Sequence, residues 1–258
     1  VLNGDDALLM SEAPRFSGRV LTFGLGEKND VRADSVRDLG RKGIAFVSHF
    51  ENQAVEVRLN VPGRQNVVNA LAATALSLSM GAPVSSVVRG LAAFPGIPGR
   101  FFLLDLPGGG LLVDDTYNAN PSSLRAALDS LAPLARGRGR LIAGLGDMLE
   151  LGRETVSAHF EAGRMAAERG VDEILALGDH AEEVVRGAVD GGLSSKQTRI
   201  VRTHEEMANG IDRVLREGDV VLLKASRGMR LERVVELLKG MEKGGTSRGR
   251  EEKSPGGG

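Results

Sequence analysis

Leu111-Leu112-Val113-Asp114-Asp115-Thr116-Tyr117-Asn118-Ala119-Asn120-Pro121-Ser122-Ser123-Leu124 is the stretch whose reading decides the fold. Three apolar residues follow a run of glycines and end a buried strand. The character then changes to a polar octet that does not favour continuing the strand. Asn120 suits a helix N-cap and Pro121 the first helical position. From Pro121 onward SSLRAALDSLAPLA carries apolar residues at helical spacing. A strand, a polar loop and a helix start define the carboxyl end of a strand in an open α/β sheet, where ligands bind. A solvated, well-capped turn would also use Asp, Asn and Pro. Two adjacent aspartates, two asparagines and the sole tyrosine of a chain without tryptophan form a denser polar set than a turn requires.

The remainder of the C-terminal part repeats that alternation. Strands are expected at 101–106, 111–114, 140–145, 173–177, 198–201 and 220–224, and helices at 121–135, 155–169, 181–189, 205–216 and 230–239. Such alternation implies a parallel sheet covered on both faces, a Rossmann-like α/β layout. Gly144-Leu145-Gly146 follows a strand but lacks the third glycine of GxGxxG, so a dinucleotide site has little support. Two further strand ends are polar: Asp147 follows the strand at 140–145, and Lys224, Ser226 and Arg227 follow the one at 220–224. His159 lies in the next helix, where a lone histidine is more often structural than catalytic.

The N-terminal part reads differently. Short strands at 20–24, 43–48 and 53–60 sit between polar turns and suggest a mixed or antiparallel sheet. A helix follows from about Asn66 to Met80, apolar almost all round and therefore expected to be buried. Asn66 and Asn69 share one face of its first turn. A primary amide both donates and accepts, so the pair suits the edge of a purine base. Pro95-Gly96-Ile97-Pro98-Gly99-Arg100 leaves little regular structure and marks a hinge. Residues 1–98 and 99–240 are accordingly read as two domains, and 241–258 as a disordered tail.

Composition excludes several classes. Thirty-three basic and 34 acidic residues leave a formal net charge of -1, which offers no electrostatic case for nucleic acid or a membrane surface. There are no cysteines, hence no disulfide and no thiolate metal site. No run approaches the roughly 20 apolar residues of a membrane span, and no signal peptide is recognisable.

Several segments together resemble the Mur ligases, in particular the branch that adds D-alanyl-D-alanine to the cell-wall precursor. Asp114 to Ser123 (DDTYNANPSS) resembles that branch's signature. Gly63 to Ala73 resembles its GRHNVxNALAA segment, with Gln65 in place of His. Gly146 to Gly152 resembles GDMxELG. Lys224 to Val235 resembles KGSRGMxMERVV, with Ala225 for a glycine and Leu231 for a methionine. Asn3-Gly4-Asp5-Asp6 is a weaker match to a family Asn-Ala-Asp-Asp run.

The resemblance implies the later part of a central ATPase domain followed by the Rossmann-like C-terminal domain. It also implies an ATP-dependent amide ligase joining D-Ala-D-Ala to UDP-MurNAc-tripeptide through an acyl phosphate. Asn66 and Asn69 would hold adenine, Arg100 and Asp115 the ribose or phosphates, and Tyr117, Asn118, Asn120, Asp147, Lys224, Ser226 and Arg227 the dipeptide. Arg100 and Asp115 would be the catalytic pair. The family's Walker A run, G-x-x-x-x-G-K-[ST], does not occur in this sequence. That run and the Mg²⁺ ligands are expected upstream of Val1, and no metal ligand within the chain. A monomer working in the cytoplasm is expected. A sister amide ligase such as a folylpolyglutamate synthase, a non-catalytic nucleotide or dipeptide-binding module, and a structural Rossmann-like protein remain alternatives.

Overall fold

The computed structural model describes residues 1–50, 52–135 and 139–241. The expected tail beyond Met241 lies outside them. The chain forms β1 (Leu2–Asn3), α1 (Ala7–Glu12), β2 (Thr22–Gly24), β3 (Val31–Asp38), β4 (Ile44–Phe50), β5 (Gln53–Leu59), α2 (Gln65–Ser79) and α3 (Val84–Ala93). Their sheet has the order β1-β2-β3-β4-β5, parallel from β1 to β3 and antiparallel from β3 to β5. The mixed sheet is thus as expected.

Two of these elements escape a periodicity reading. In β3 the register shifts between Asp34 and Arg37, and Ser35 sits at φ 50°. That irregularity destroys the two-residue period that reveals a strand. Helix α1 is only six residues long and buries none of them. Asp6 caps it, its carboxylate accepting from the amides of Leu8 and Leu9 at 3.0 Å.

The expectation that α2 is buried all round is corrected. The helix buries one stripe, Val67, Ala70, Leu71, Thr74 and Ala75, against β3, β4 and β5, while Leu76 is 55% exposed. Alanine and serine are weakly apolar and report facing poorly, so composition overstated the burial.

The second part comprises β6 (Phe102–Asp105), β7 (Leu111–Asp115), α4 (Pro121–Ala135), β8 (Leu141–Gly146), α5 (Thr155–Glu168), β9 (Glu173–Leu177), α6 (Ala181–Asp190), β10 (Thr198–Val201), α7 (His204–Val214), β11 (Val220–Lys224) and α8 (Glu232–Gly240). The sheet runs β10-β9-β8-β11-β7-β6 and is parallel except for β6, which pairs antiparallel with β7.

Successive strand residues face opposite sides. Leu111, Val113, Ala143, Leu145, Val220 and Leu222 pack beneath α4, α5 and α6. Leu112, Ile142, Val221 and Leu223 pack beneath α7 and α8. Burial on both faces explains why these strands read as unbroken apolar runs. Helices α5 and α6 meet closely, because Gly163 and Gly187 let each backbone approach the other.

The chain returns from α7 to insert β11 between β7 and β8. Lys224 is therefore the direct register partner of both Asp115 and Leu145. Three polar strand ends lie side by side at one edge of the sheet.

Candidate active site

A cleft of about 650 Å³ opens at that edge, between the strand ends of the second sheet and the start of α2. Its lining includes Asn66, Asn69, Arg100, Asp115, Tyr117, Asn118, Asn120 and Lys224, eight of the eleven residues singled out from sequence. Apolar walls come from Val61, Phe94, Ile97 and Phe101.

On the α2 side, Asn66 Nδ2 donates to Pro62 O at 2.7 Å and Asn69 Nδ2 to Asn66 Oδ1 at 3.4 Å. Asn69 is exposed to the cleft. On a helix expected to be buried almost all round, Asn69 instead meets solvent. What remains is an amide aimed at a cavity, with its carbonyl oxygen free among the described residues.

Asp115 and Lys224 form the centre. Lys224 Nζ donates to Asp115 Oδ2 at 2.5 Å and to Asn118 O at 3.0 Å. Lys224 is 3% exposed. Burial pushes the Asp115 carboxyl above its usual range, against the pull of the Lys224 ammonium. Asp115 Oδ1 also accepts from Phe101 N at 3.0 Å.

Asp114, which sequence reading passed over, does equivalent work on the buried side. Its carboxylate accepts from Gly99 N at 2.9 Å and from Thr116 Oγ1 at 2.6 Å. Tyr117 N donates back to Gly99 O at 2.9 Å. The hinge end Gly99–Phe101 is thus stitched to the loop after β7. Gly99 and Phe101 both have positive φ, 79° and 54°. For phenylalanine that conformation is strained, and the Asp115 bond and its own burial hold it.

Arg100, projecting from the stitched segment, places its guanidinium 3.9 Å from the centre of the Tyr117 ring. Arg227 approaches the same ring at 5.2 Å. One exposed tyrosine therefore gathers two arginines at the cleft mouth, an arrangement favourable for cation–π contact and for an anionic ligand.

The other predicted residues sort differently. Asn120 accepts from Ser123 N at 2.8 Å while Ser123 Oγ accepts from Asn120 N at 3.0 Å, a reciprocal helix cap, so its carbonyl oxygen is occupied. Asn118 Oδ1 accepts from Ala119 N at 2.9 Å. Asp147 and Ser226 do not line the cleft. The Asp147 carboxylate accepts from the amides of Asp179 (2.8 Å) and His180 (3.2 Å) and is buried. Ser226 Oγ donates to Ala119 O at 3.2 Å and accepts from Leu149 N at 2.8 Å. Their positions at strand ends are as expected, but their polar atoms are spent inside the protein.

Among the described residues two side-chain contacts join the halves. Ser130 Oγ donates to Gln65 Oε1 at 3.2 Å, and Arg41 pairs with Asp105 at 2.5 Å. Gln65, where the resembled segment has histidine, thus meets α4.

The Mur ligase middle domain matches residues 1–77 and the Mur ligase glutamate ligase domain matches residues 99–227. The chain belongs to the Mur ligase family. The UDP-N-acetylmuramoyl-tripeptide–D-alanyl-D-alanine ligase of Escherichia coli is 35% identical over 196 residues, 76% of this chain and 42% of that protein. The crystal structure of MurF from Acinetobacter baumannii superposes with a TM-score of 0.79 at 30% identity, over 92% of this chain and 51% of that one. MurF from Thermotoga maritima, in complex with ADP, gives 0.77 at 27% identity, over 92% and 52%. This Mur ligase chain spans about half the length of the curated relatives it matches.

Magnesium does not fit the residues present. Among the described residues no group of three or more His, Cys, Asp or Glu is placed to hold a metal ion. Asp115 is the one carboxylate lining the cleft, and Lys224 already neutralises it. Among the described residues no helix is long and apolar enough to cross a membrane.

Proposed function

We propose that this chain forms the adenine-side and acceptor-side half of an ATP-dependent ligase that joins D-Ala-D-Ala to UDP-MurNAc-tripeptide. The observation carrying this reading is the convergence of Asn66 and Asn69, Arg100, and the Asp115–Lys224 pair with the 117–120 loop on one cleft. In the proposed reaction the γ-phosphoryl group passes to the tripeptide's terminal carboxylate, releasing ADP. The dipeptide amine then attacks the acyl carbon, and phosphate leaves as the amide forms and a proton is lost. Such a path needs positioning and charge stabilisation rather than a protein nucleophile. It agrees with a cleft whose lining offers amides and cations but no Ser–His or Cys–His pair.

Within this reading Asn66 and Asn69 address the base through their amides. Asp115, fixed by Lys224, accepts from ribose hydroxyls. Arg100 meets the phosphates. Arg227 and Asn118 face the dipeptide. Lys224 organises Asp115 and Asn118 instead of binding the dipeptide carboxylate directly. Catalysis would take place in the cytoplasm on a monomer, with ATP as co-substrate and with Mg²⁺ bound by groups other than those described here.

The test is calorimetric titration of this chain with D-Ala-D-Ala, with and without ATP. The run G-x-x-x-x-G-K-[ST] does not occur in the sequence, so binding rather than turnover is the readout. Saturable dipeptide binding, lost in Arg227→Ala, supports the reading. Absence of binding to this chain and to a full-length relative carrying the same loop would overturn it.

A further inference from the structure

The loop that carries Tyr117, Asn118 and Asn120 is suspended from its neighbours, and the line of suspension ends at a histidine. Ser226 Oγ donates to Ala119 O at 3.2 Å. Ser226 is held by the loop after β8, through Leu149 N to its Oγ at 2.8 Å and its own N to Asp147 O at 2.9 Å. That loop is held by His159, whose Nε2 accepts from Met148 N at 2.9 Å.

His159 is fully buried, and both ring nitrogens are engaged. Nδ1 lies 2.6 Å from Thr155 O, a carbonyl that can only accept, so Nδ1 carries the proton. Nε2 must then be bare, since Met148 N–H donates to it. The two partners select one neutral tautomer. A second proton, on Nε2, would set N–H against N–H and expel the Met148 amide. The nearest alternative acceptor for that proton is Asp147 Oδ1, 3.7 Å away.

The other charged groups around the ring bear on whether it takes that proton. His180, at the start of α6, stacks at 4.7 Å between centroids, and Glu183 stands 3.9 Å from His180 Nδ1. Lys224, on β11, lines the same small void as His159. Asp147, Lys224, His180 and Glu183 are the charged or titratable groups that face the ring.

We propose that His159 is a positioning residue for the cleft, holding the 117–120 loop through Met148 and Ser226 only while neutral, so that acid releases the acceptor side of the site. Imidazole is the side chain whose charge ordinarily changes between pH 5 and 8. The consequence for ligand binding rests on the dipeptide reading above; the structural linkage does not.

The experiment is a ¹⁵N NMR titration of this chain, labelled at histidine and backbone, from about pH 8 to about pH 5. The expected result is an Nδ1–H tautomer at high pH. The amides of Met148, Leu149 and Ala119 should then shift with the same midpoint as the His159 ring. His159→Gln, whose Oε1 can still accept from Met148 N, should abolish the step at Ala119 without loss of fold; His180→Gln should leave it. In parallel, D-Ala-D-Ala should bind roughly tenfold more weakly at the acid end, as expected for exposing one buried donor, and not in His159→Gln. A His159 ring that stays neutral until unfolding, or Ala119 shifts that follow the His180 ring, would overturn the proposal. If the glutamine variant fails to fold, the wild-type midpoints still decide. Failure of the dipeptide to bind at any pH, with the linked shifts intact, would remove the functional reading and leave the linkage standing.

Discussion

Lys224 and Asp115 are register partners on adjacent parallel strands, and their charged groups meet at 2.5 Å beneath the cleft. Burial raises the Asp115 carboxyl, against the pull of the ammonium. A raised carboxyl favours folding most below its unfolded value, and that contribution is lost as pH rises through the folded value. Lys224→Met removes the ammonium that opposes this rise and leaves the buried Asp115 carboxylate without its countercharge. We expect a loss of about 3–5 kcal/mol at pH 7, the usual consequence of orphaning one member of a buried pair, and a smaller loss near pH 5, where Asp115 can be protonated. Urea unfolding at the two pH values checks this; an equal loss at both would refute it.

Asp219 is the opposite case. Burial would raise its carboxyl, but the Arg140 guanidinium, together with the amides of Arg140 and Arg216, holds it below the usual range. The stability it contributes is present above the unfolded carboxylate value and lost as pH falls through the depressed one. Asp219→Asn should cost about 2–3 kcal/mol at pH 7, as for a hydrogen-bonded buried charge, with the difference from wild type closing in acid. Thermal unfolding followed against pH reads this directly.

Asp114 ties the hinge end to the second sheet through Gly99 N and Thr116 Oγ1. Asp114→Ala leaves the Gly99 amide without its acceptor and should free Arg100 from its place over Tyr117. Amide exchange at Gly99 should rise at least tenfold, equivalent to about 1.4 kcal/mol of lost protection. Nucleotide affinity should fall more than dipeptide affinity. Unchanged exchange at Gly99 would show that the tie is not what holds the segment.

Gly163 tests the packing of α5 on α6. Helix propensity alone predicts that Gly163→Ala stabilises by up to about 1 kcal/mol. A Cβ there would lie 1.8 Å from Val184 O, a backbone atom that cannot step aside. The clash wins, and we expect destabilisation of about 3 kcal/mol or more. A rise in the denaturant midpoint would mean that the helices part more readily than this packing implies.

The elements most legible in the sequence were those buried on both sides or capped locally. Strands 173–177 and 220–224 and the helix 121–135 have the bounds expected of them. Their signals, an apolar run or an Asn-Pro start, lie within the segment itself. β3 was not legible, because a bulge broke its period, and neither was α1, too short and too exposed to show one. In the site, residue types were legible but their employment was not. Asp147 and Ser226 looked like ligand residues because polar side chains at strand ends usually are; the structure gives their hydrogen bonds to neighbouring loops.

By itself, then, the sequence determined the alternation of strands and helices, the parallel second sheet and the strand ends where polar residues collect, because hydrophobic period and helix capping are local properties. Tertiary structure alone decided which of those residues face the cleft. Lys224 finds Asp115 across 109 residues, Ser130 finds Gln65 across 65, and Asp114, a motif residue given no role from sequence, secures the hinge. Such pairings depend on strand order and on the insertion of β11 between β7 and β8. No local pattern encodes that order, since the free energy that selects it is the burial of both sheet faces at once.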